Sequence, residues 1–324
     1  MTPSSVLVVK PSSLGDIVHT LPAVHYLKTT FQKANISWIT NPEWMSLLEE
    51  NIDLKTVISF PRRAFRGPIG AFKFFRWCRR LSVLRPDLVL DFQGLLRSAW
   101  ISRSAKGKLV YGLSDAREAS RLFYDRRASV NSRQHSVDRY LALARLAGAD
   151  TSGPIQFPLP AGKPISSVEL PARFVVLHPF ARGARKSLTP EEIFEFSRLL
   201  VPIPVIVVGR TDVNFATDQN GISLVNQTDL PELIWLLRRA SFIVSVDSGP
   251  MHIAAAITPE LLSIHTWSNP GSVGPYNPDA WIWKDQRIFQ VRSNLTTEPS
   301  EENQHRDRPD LAQITSFVRD RLLH

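Results

Sequence analysis

Once in each half, the chain runs from a short apolar stretch through a polar turn into a helical pattern. Val6-Leu7-Val8-Val9 leads into Pro11-Ser12-Ser13-Leu14-Gly15, after which Ile17, Leu21, Val24 and Leu27 share one helical face. Phe174-Val175-Val176-Leu177 leads into a polar loop over residues 179–187. There Thr189 suits a helix N-cap, Pro190 the first helical position, and Glu191 and Glu192 the positive end of the helix dipole. Further strand-type stretches at 88–90, 205–208, 242–245 and 261–265 alternate with helical patterns. Apolar strands alternating with helices imply parallel sheets covered on both faces. The expected fold class is α/β with doubly wound parallel sheets, and 324 residues suit two such domains. Residues 151–171 hold five prolines and little periodicity, which places the boundary there. A final amphipathic helix carries Leu311, Ile314, Val318 and Leu322, after a polar segment over 292–308 that reads as a crossing loop.

The charge is uneven. Residues 1–150 hold 23 Lys/Arg against 12 Asp/Glu, whereas residues 151–324 hold 16 against 18. A half this basic expects an anionic partner, unless the charge is simply a solvated face. Eight basic residues and no acid lie between Arg62 and Arg85, in a segment that also carries Phe65, Phe72, Phe74, Phe75 and Trp77. Such a segment suits a membrane surface with anionic headgroups. A single cysteine, Cys78, rules out a disulfide framework and a cysteine-based metal cluster. There is no run of 18 apolar residues and no secretory pattern at the N-terminus, so the expectation is a soluble, cytoplasmic protein.

Several chemistries lack their motifs. The sequence has no G-x-G-x-x-G, no G-x-x-x-x-G-K-[ST], no H-E-x-x-H and no G-x-S-x-G. No D-x-D occurs, and the eight histidines show no metal-ligand spacing, so neither a metal nor a cofactor is expected. What remains are loops that follow strands and precede helices, at the carboxyl ends of parallel strands where ligands bind in such folds. In the first, Gly15 permits a tight turn and Asp16 stands at the helix start, either turned to a ligand or serving as a cap. In Ser245-Val246-Asp247-Ser248-Gly249-Pro250-Met251-His252, the small Ser248-Gly249 pair leaves amides at a helix N-terminus for a diphosphate. Taken alone, Asp247 reads as a plain N-cap and His252 as an ordinary helix residue.

Together these segments resemble the heptosyltransferases of lipopolysaccharide core assembly, glycosyltransferase family 9, and the heptosyltransferase I type in particular. The matching residues run from Val8-Val9-Lys10 to Pro22. They continue through Asp91-Phe92-Gln93-Gly94-Leu95-Leu96-Arg97-Ser98-Ala99, Ala116-Arg117-Glu118, Leu122-Phe123-Tyr124 and Gln134-His135-Ser136-Val137-Asp138-Arg139. Lys186 with Pro190-Glu191-Glu192, Ser245 to Gly249 with His252, and Gly274-Pro275-Tyr276 complete the set in order. Two segments depart from the family pattern. Lys186-Ser187-Leu188-Thr189-Pro190 is one residue longer than usual, and Thr266-Trp267-Ser268-Asn269-Pro270 places a bulky Trp267 near the expected donor pocket.

The resemblance implies the GT-B architecture, two Rossmann-like domains facing across a cleft. Residues 1–155 would bind the acceptor, 156–172 form a linker and 173–300 bind the nucleotide sugar, with 301–324 crossing back so that the last helix packs on the N-terminal domain. It implies inverting, metal-independent transfer from an ADP-heptose donor to a Kdo residue of a Kdo-lipid A acceptor, at the cytoplasmic surface of the inner membrane and without a nucleic-acid partner. Asp16 would be the base and Lys186 the cation facing the departing diphosphate. With no D-x-D, protein charge must do that work, and residues 182–186 carry three cations. Ser12, Ser13, Gly15, Arg182, Thr228, Asp229, Asp247, Ser248, Gly249 and His252 are the expected donor contacts. Arg62, Arg63, Arg66, Gln93, Arg97, Arg117 and His135 are the expected acceptor contacts, arginine being suited to bidentate grip of carboxylates and phosphates. The alternatives are a transferase of the same fold with another sugar nucleotide or glycan acceptor, a nucleotide-sugar epimerase, and a non-catalytic binder of nucleic acid or anionic membrane.

Overall fold

The computed structural model describes residues 2–183, 186–294 and 308–323. The chain divides into two compact units, Met1–Pro160 and Ala161–His324. The division falls inside the proline-rich segment.

The first unit carries strands β1 (Ser5–Val9), β2 (Asn35–Thr40), β3 (Thr56–Ser59), β4 (Leu88–Asp91), β5 (Leu109–Leu113) and β6 (Arg126–Ala128). Its helices are α1 (Leu14–Thr30), α2 (Gly67–Leu81), α3 (Leu96–Ser104) and α4 (Ser136–Leu146). Every pairing is parallel and the order is β3-β2-β1-β4-β5-β6. In a doubly wound sheet of this order the winding reverses between β1 and β4, and the loops leaving those two carboxyl ends diverge to open a ligand crevice. Register brings the two exits level, because Val9 pairs with Asp91. The run over Val6, Leu7, Val8 and Val9 is buried, as a strand sheathed on both faces requires.

The second unit repeats the plan. Its strands are β7 (Val175–His178), β8 (Val205–Val207), β9 (Gly221–Ser223), β10 (Phe242–Val246), β11 (Leu261–Ile264), β12 (Trp281–Lys284) and β13 (Arg287–Gln290). Its helices are α5 (Pro190–Leu199), α6 (Leu230–Arg239), α7 (Gly249–Ile257), α8 (Pro270–Val273), α9 (Val291–Asn294) and α10 (Leu311–Leu323). The order is β13-β12-β11-β10-β7-β8-β9, with only β13 antiparallel to its neighbour. Here the switch lies between β7 and β10, and Ser245 pairs with His178. The expected cap of α5 is present: Thr189 Oγ1 accepts from the Glu192 amide at 3.2 Å, and Glu192 Oε2 accepts from the Thr189 amide at 2.7 Å.

The last helix contributes to the core of the second unit. Ile314 and Val318 of α10 are fully buried in the core of the second unit, beside Val175, Phe196 and Phe242. The amphipathic stripe read from the sequence is thus satisfied within its own unit. Residues 295–307 of the expected crossing segment lie outside the described residues. Truncating Ile314 to alanine should therefore cost about 2–5 kcal/mol of stability, the range for a buried large-to-small change. Denaturant unfolding that left the midpoint unchanged would remove α10 from this core.

Candidate active site

Lys10 follows β1 directly, and its side chain is only 3% exposed. A buried ammonium demands partners, and this one has three. Its Nζ donates to the Phe92 carbonyl at 3.0 Å and to Tyr140 Oη at 2.8 Å, and lies 3.6 Å from Asp16 Oδ1. Tyr140, on α4, passes the chain of donors on, its hydroxyl reaching Asp16 Oδ1 at 3.1 Å. Its ring stands edge-on to Phe92, with centroids 5.6 Å apart. The other carboxylate oxygen of Asp16 accepts from the Ser13 amide at 3.0 Å and the Ser13 hydroxyl at 2.8 Å. Asp16 is therefore both the third residue of α1, bonded back to its N-cap, and one pole of a buried ion pair. The cap reading of Asp16 is thus joined by a pairing with Lys10. The carboxylate remains 35% exposed.

Burial alone would raise the Asp16 pKa. The Lys10 charge, both Ser13 bonds and the Tyr140 hydroxyl outweigh it and bring the value down to about 2. For Lys10, burial lowers the pKa while Asp16 and Asp91 push back.

The second exit of this sheet is shaped by Asp91, which is fully buried. Its oxygens accept from the amides of Gln93 and Gly94 at 2.9 and 3.1 Å, and from Ser98 Oγ and Tyr124 Oη at 2.8 Å each. This carboxylate is spent on holding the loop. The loop needs glycine at 94, where φ is +68° and an added Cβ would lie 3.2 Å from that of Ala116. Gln93 Oε1 then accepts from the Ser12 amide at 3.2 Å, stitching the two exits together. Ser12, Ser13, Gly15, Asp16, Gln93 and Gly94 therefore form one cluster.

In the second unit, Lys186 Nζ donates to Asp247 Oδ2 at 2.9 Å, with side chains 31% and 12% exposed. Burial would raise the Asp247 pKa, but His265, Lys186 and the Ser268 hydroxyl hold it below the usual carboxylate range. His178, at the end of β7, lies with Nδ1 3.1 Å from Ser248 Oγ. His265, after β11, has its ring nitrogens 2.9 Å from Ser268 Oγ and 3.1 Å from Ser263 Oγ. Burial takes both imidazoles down to about 4, so both are neutral near pH 7. Ser248 caps α7 in extended geometry, and Gly249 opens the helix, so their amides point out of its positive end. Lys186, Asp247, Ser248 and Gly249 are thus assembled at the carboxyl edge of this sheet. His252 is buried on α7.

Other expected site residues stand differently. Asp229 spends its carboxylate on the amide of Glu232 at 2.8 Å, as the cap of α6. His135 does the same for α4, its Nδ1 accepting from the Val137 amide at 3.2 Å. Both are helix-terminal acceptors satisfying orphan amides. Thr228 is half-buried beside Asp229, and Arg182 is exposed. Arg185 lies outside the described residues. Arg62, Arg63 and Arg66 sit exposed in the turn that enters α2, Arg97 in the first turn of α3, and Arg117 in the loop whose amide donates to the Gly94 carbonyl at 2.8 Å. Among the described residues none of these five guanidinium groups pairs with a carboxylate. Trp267 is 58% exposed in the loop after β11.

Four residues of these two clusters were not among the expected site residues: Lys10, Tyr140, His178 and His265. A polar residue at the carboxyl end of a central strand was signal enough for Lys10 and His178. Tyr140 had no local signal, because only packing of α4 on α1 brings it to Asp16.

A family model described as glycosyltransferase family 9 (heptosyltransferase) matches residues 74–185 and 211–300, more than half of the chain. The chain belongs to that family. The lipopolysaccharide heptosyltransferase 1 of Escherichia coli O18:K1:H7 is 27% identical over 332 residues, covering 92% of this chain and 97% of that protein. The structure of E. coli heptosyltransferase WaaC with ADP superposes with a TM-score of 0.76 at 23% identity, over 98% of this chain and 99% of that one. WaaC with ADP-2-deoxy-2-fluoro heptose gives 0.72 at 24%, over 86% and 93%. The fold is that of the GT-B glycosyltransferases, built from two Rossmann-like domains.

The network makes a direct prediction for this transferase. Tyr140→Phe removes one donor from Asp16 and should raise its pKa from about 2 toward the unperturbed carboxylate value, as read by carbon-13 titration of the ligand-free protein. The sign for stability follows. A carboxylate with a depressed folded pKa stabilises the fold above its unfolded pKa, near 4, and loses that contribution as pH falls toward 2. The variant should show less of this acid-sensitive stabilisation than the parent.

Proposed function

We propose that the enzyme transfers heptose from ADP-L-glycero-β-D-manno-heptose to a Kdo residue of Kdo-lipid A, with inversion and without a metal, in assembly of the lipopolysaccharide inner core. The observation that carries this reading is the Asp16 carboxylate, held ionised at the switch point of the first sheet by Lys10, Tyr140 and Ser13. The heptosyltransferase 1 relative and the ADP and fluoro-heptose ligands of WaaC support the choice of donor and pathway.

In the proposed reaction the acceptor hydroxyl oxygen attacks the anomeric carbon, and the bond from that carbon to the diphosphate oxygen breaks. The hydroxyl proton passes to the free lone pair of Asp16. The hydroxyl grows acidic only as its oxygen bonds to carbon, so a carboxylate of low pKa can receive the proton late in the step. The same negative charge opposes the positive charge that develops on the sugar ring. ADP leaves with its new charge met by the Lys186 ammonium and by the Ser248 and Gly249 amides at the start of α7. Asp247 keeps Lys186 in place and leaves its other two N–H groups for phosphate oxygens. His178 orients the Ser248 hydroxyl. Arg62, Arg63, Arg66, Arg97 and Arg117, without a carboxylate partner among the described residues, suit the carboxylates and phosphates of the acceptor. A lipid-anchored acceptor places the enzyme peripherally at the cytoplasmic face of the inner membrane.

The test is to mix the purified protein with ADP-heptose and Kdo-lipid A in EDTA and follow acceptor mass. The expected result is a gain of one heptose. Loss of turnover in EDTA would refute the metal-free mechanism, and turnover only with another sugar nucleotide would refute the donor. Asp16→Ala should lower kcat about 10²–10⁴-fold, the usual effect of removing a general base. Lys186→Ala should lower kcat by about 10²-fold or more, the scale for one charge-stabilising group.

A further inference from the structure

Helix α2 is amphipathic in an unusual sense. Its inward side packs Phe74, Trp77, Cys78 and Leu81 on the first unit's core. Its outward side is not polar throughout. Ile69, Phe72 and Phe75, three residues apart in turn, are 74%, 70% and 55% exposed. Lone exposed apolar side chains are ordinary, but a connected patch is not. Here ring contacts run from Phe75 to Trp100 of α3 at 5.9 Å, and from Trp100 to Phe123 at 6.5 Å, beside Leu122 at 83% exposure.

The same helix face carries Lys73, Arg76, Arg79 and Arg80, all exposed, and among the described residues none has a carboxylate partner. Residues 62–85 contain no acid. An acidic protein surface would match the cations but not the protruding Ile69, Phe72 and Leu122. A nucleic acid would use the cations and rings, yet gain nothing from exposed aliphatic side chains. A bilayer interface with anionic headgroups takes all three at once. Position agrees: β3 runs parallel to β1, so the turn entering α2 leaves the same carboxyl edge that carries Asp16.

We infer that the outward face of α2, continued by Trp100 and Leu122, docks the enzyme on an anionic bilayer, the apolar side chains entering the headgroup layer while the basic ones bind lipid phosphates. This deepens the proposed function, because it says how the catalytic edge of the first unit meets an acceptor embedded in lipid. Flotation of the full-length protein with vesicles tests it. Wild type should bind phosphatidylcholine vesicles containing phosphatidylglycerol, bind pure phosphatidylcholine vesicles weakly, and lose binding as salt rises. Phe72→Ser with Phe75→Ser, and separately Arg79→Gln with Arg80→Gln, should each weaken binding about tenfold or more. Both double variants should keep the wild-type unfolding midpoint and wild-type turnover on a water-soluble Kdo acceptor without acyl chains, while losing turnover on vesicle-embedded Kdo-lipid A. Wild-type vesicle binding by both variants, equal binding to neutral vesicles, or displacement of vesicles by an oligonucleotide of nanomolar affinity would each overturn the docking face. Vesicle binding without turnover on either acceptor would keep the docking face and refute the proposed reaction.

Discussion

The buried Lys10 ammonium is the charge around which the first unit's carboxyl edge is organised. An ion taken out of water is tolerated only where fixed groups replace its hydration. Phe92 supplies a carbonyl, Tyr140 a hydroxyl and Asp16 a countercharge, and these come from three separate elements. The position of α1, the loop after β4 and the face α4 presents are therefore constrained together. Asp16 gains precision in return. One oxygen is fixed by Tyr140 and the other by Ser13, so the carboxylate has little freedom to turn.

The two sheets share one strand order but place different chemistry at the switch point. In the first, a carboxylate is the exposed pole of a buried pair. In the second, the exposed pole is the ammonium of Lys186, backed by Asp247 and by the positive end of α7. In the proposed reaction each unit presents the charge opposite to that of the group it would meet: an anion for the developing cation of the sugar, and cations for the departing diphosphate. Neutral His178 and His265 hold hydroxyls without adding charge to the second site.

What could be read in advance follows from where the physics is local. The central strands β1, β4, β7 and β10 are apolar on both faces and were legible from their runs. So was the cap of α5, whose Thr189 and Glu192 stand three apart. Strands such as β6, three residues with two arginines, and β9, opening on Gly221, carry no such pattern and form only because a neighbour offers a ladder. Asp16, Gln93, Lys186 and Asp247 were legible through motifs that follow strands. Asp229 and His135 prove to cap helices, a bond their motifs did not announce, because a cap and a ligand contact use the same residue types at the same helix position. The core that α10 joins was not legible either. A stripe of Leu311, Ile314 and Val318 says that a face is buried and is silent about which core buries it.

A carboxylate with a pKa near 2 is a poor base at rest, and that property suits repeated transfer better than a high pKa would. In the proposed reaction, an Asp16 that has taken the proton can no longer balance the buried Lys10 ammonium. The product state is therefore strained electrostatically, and the proton is driven back out to solvent. A carboxylate tuned upward by burial alone would hold the proton and would have to be reset before the next acceptor arrived. If Asp16 is the base of the proposed reaction, the Lys10–Tyr140 pair trades intrinsic basicity for a charge that is present at the start of every turnover, when the sugar ring begins to develop its positive charge.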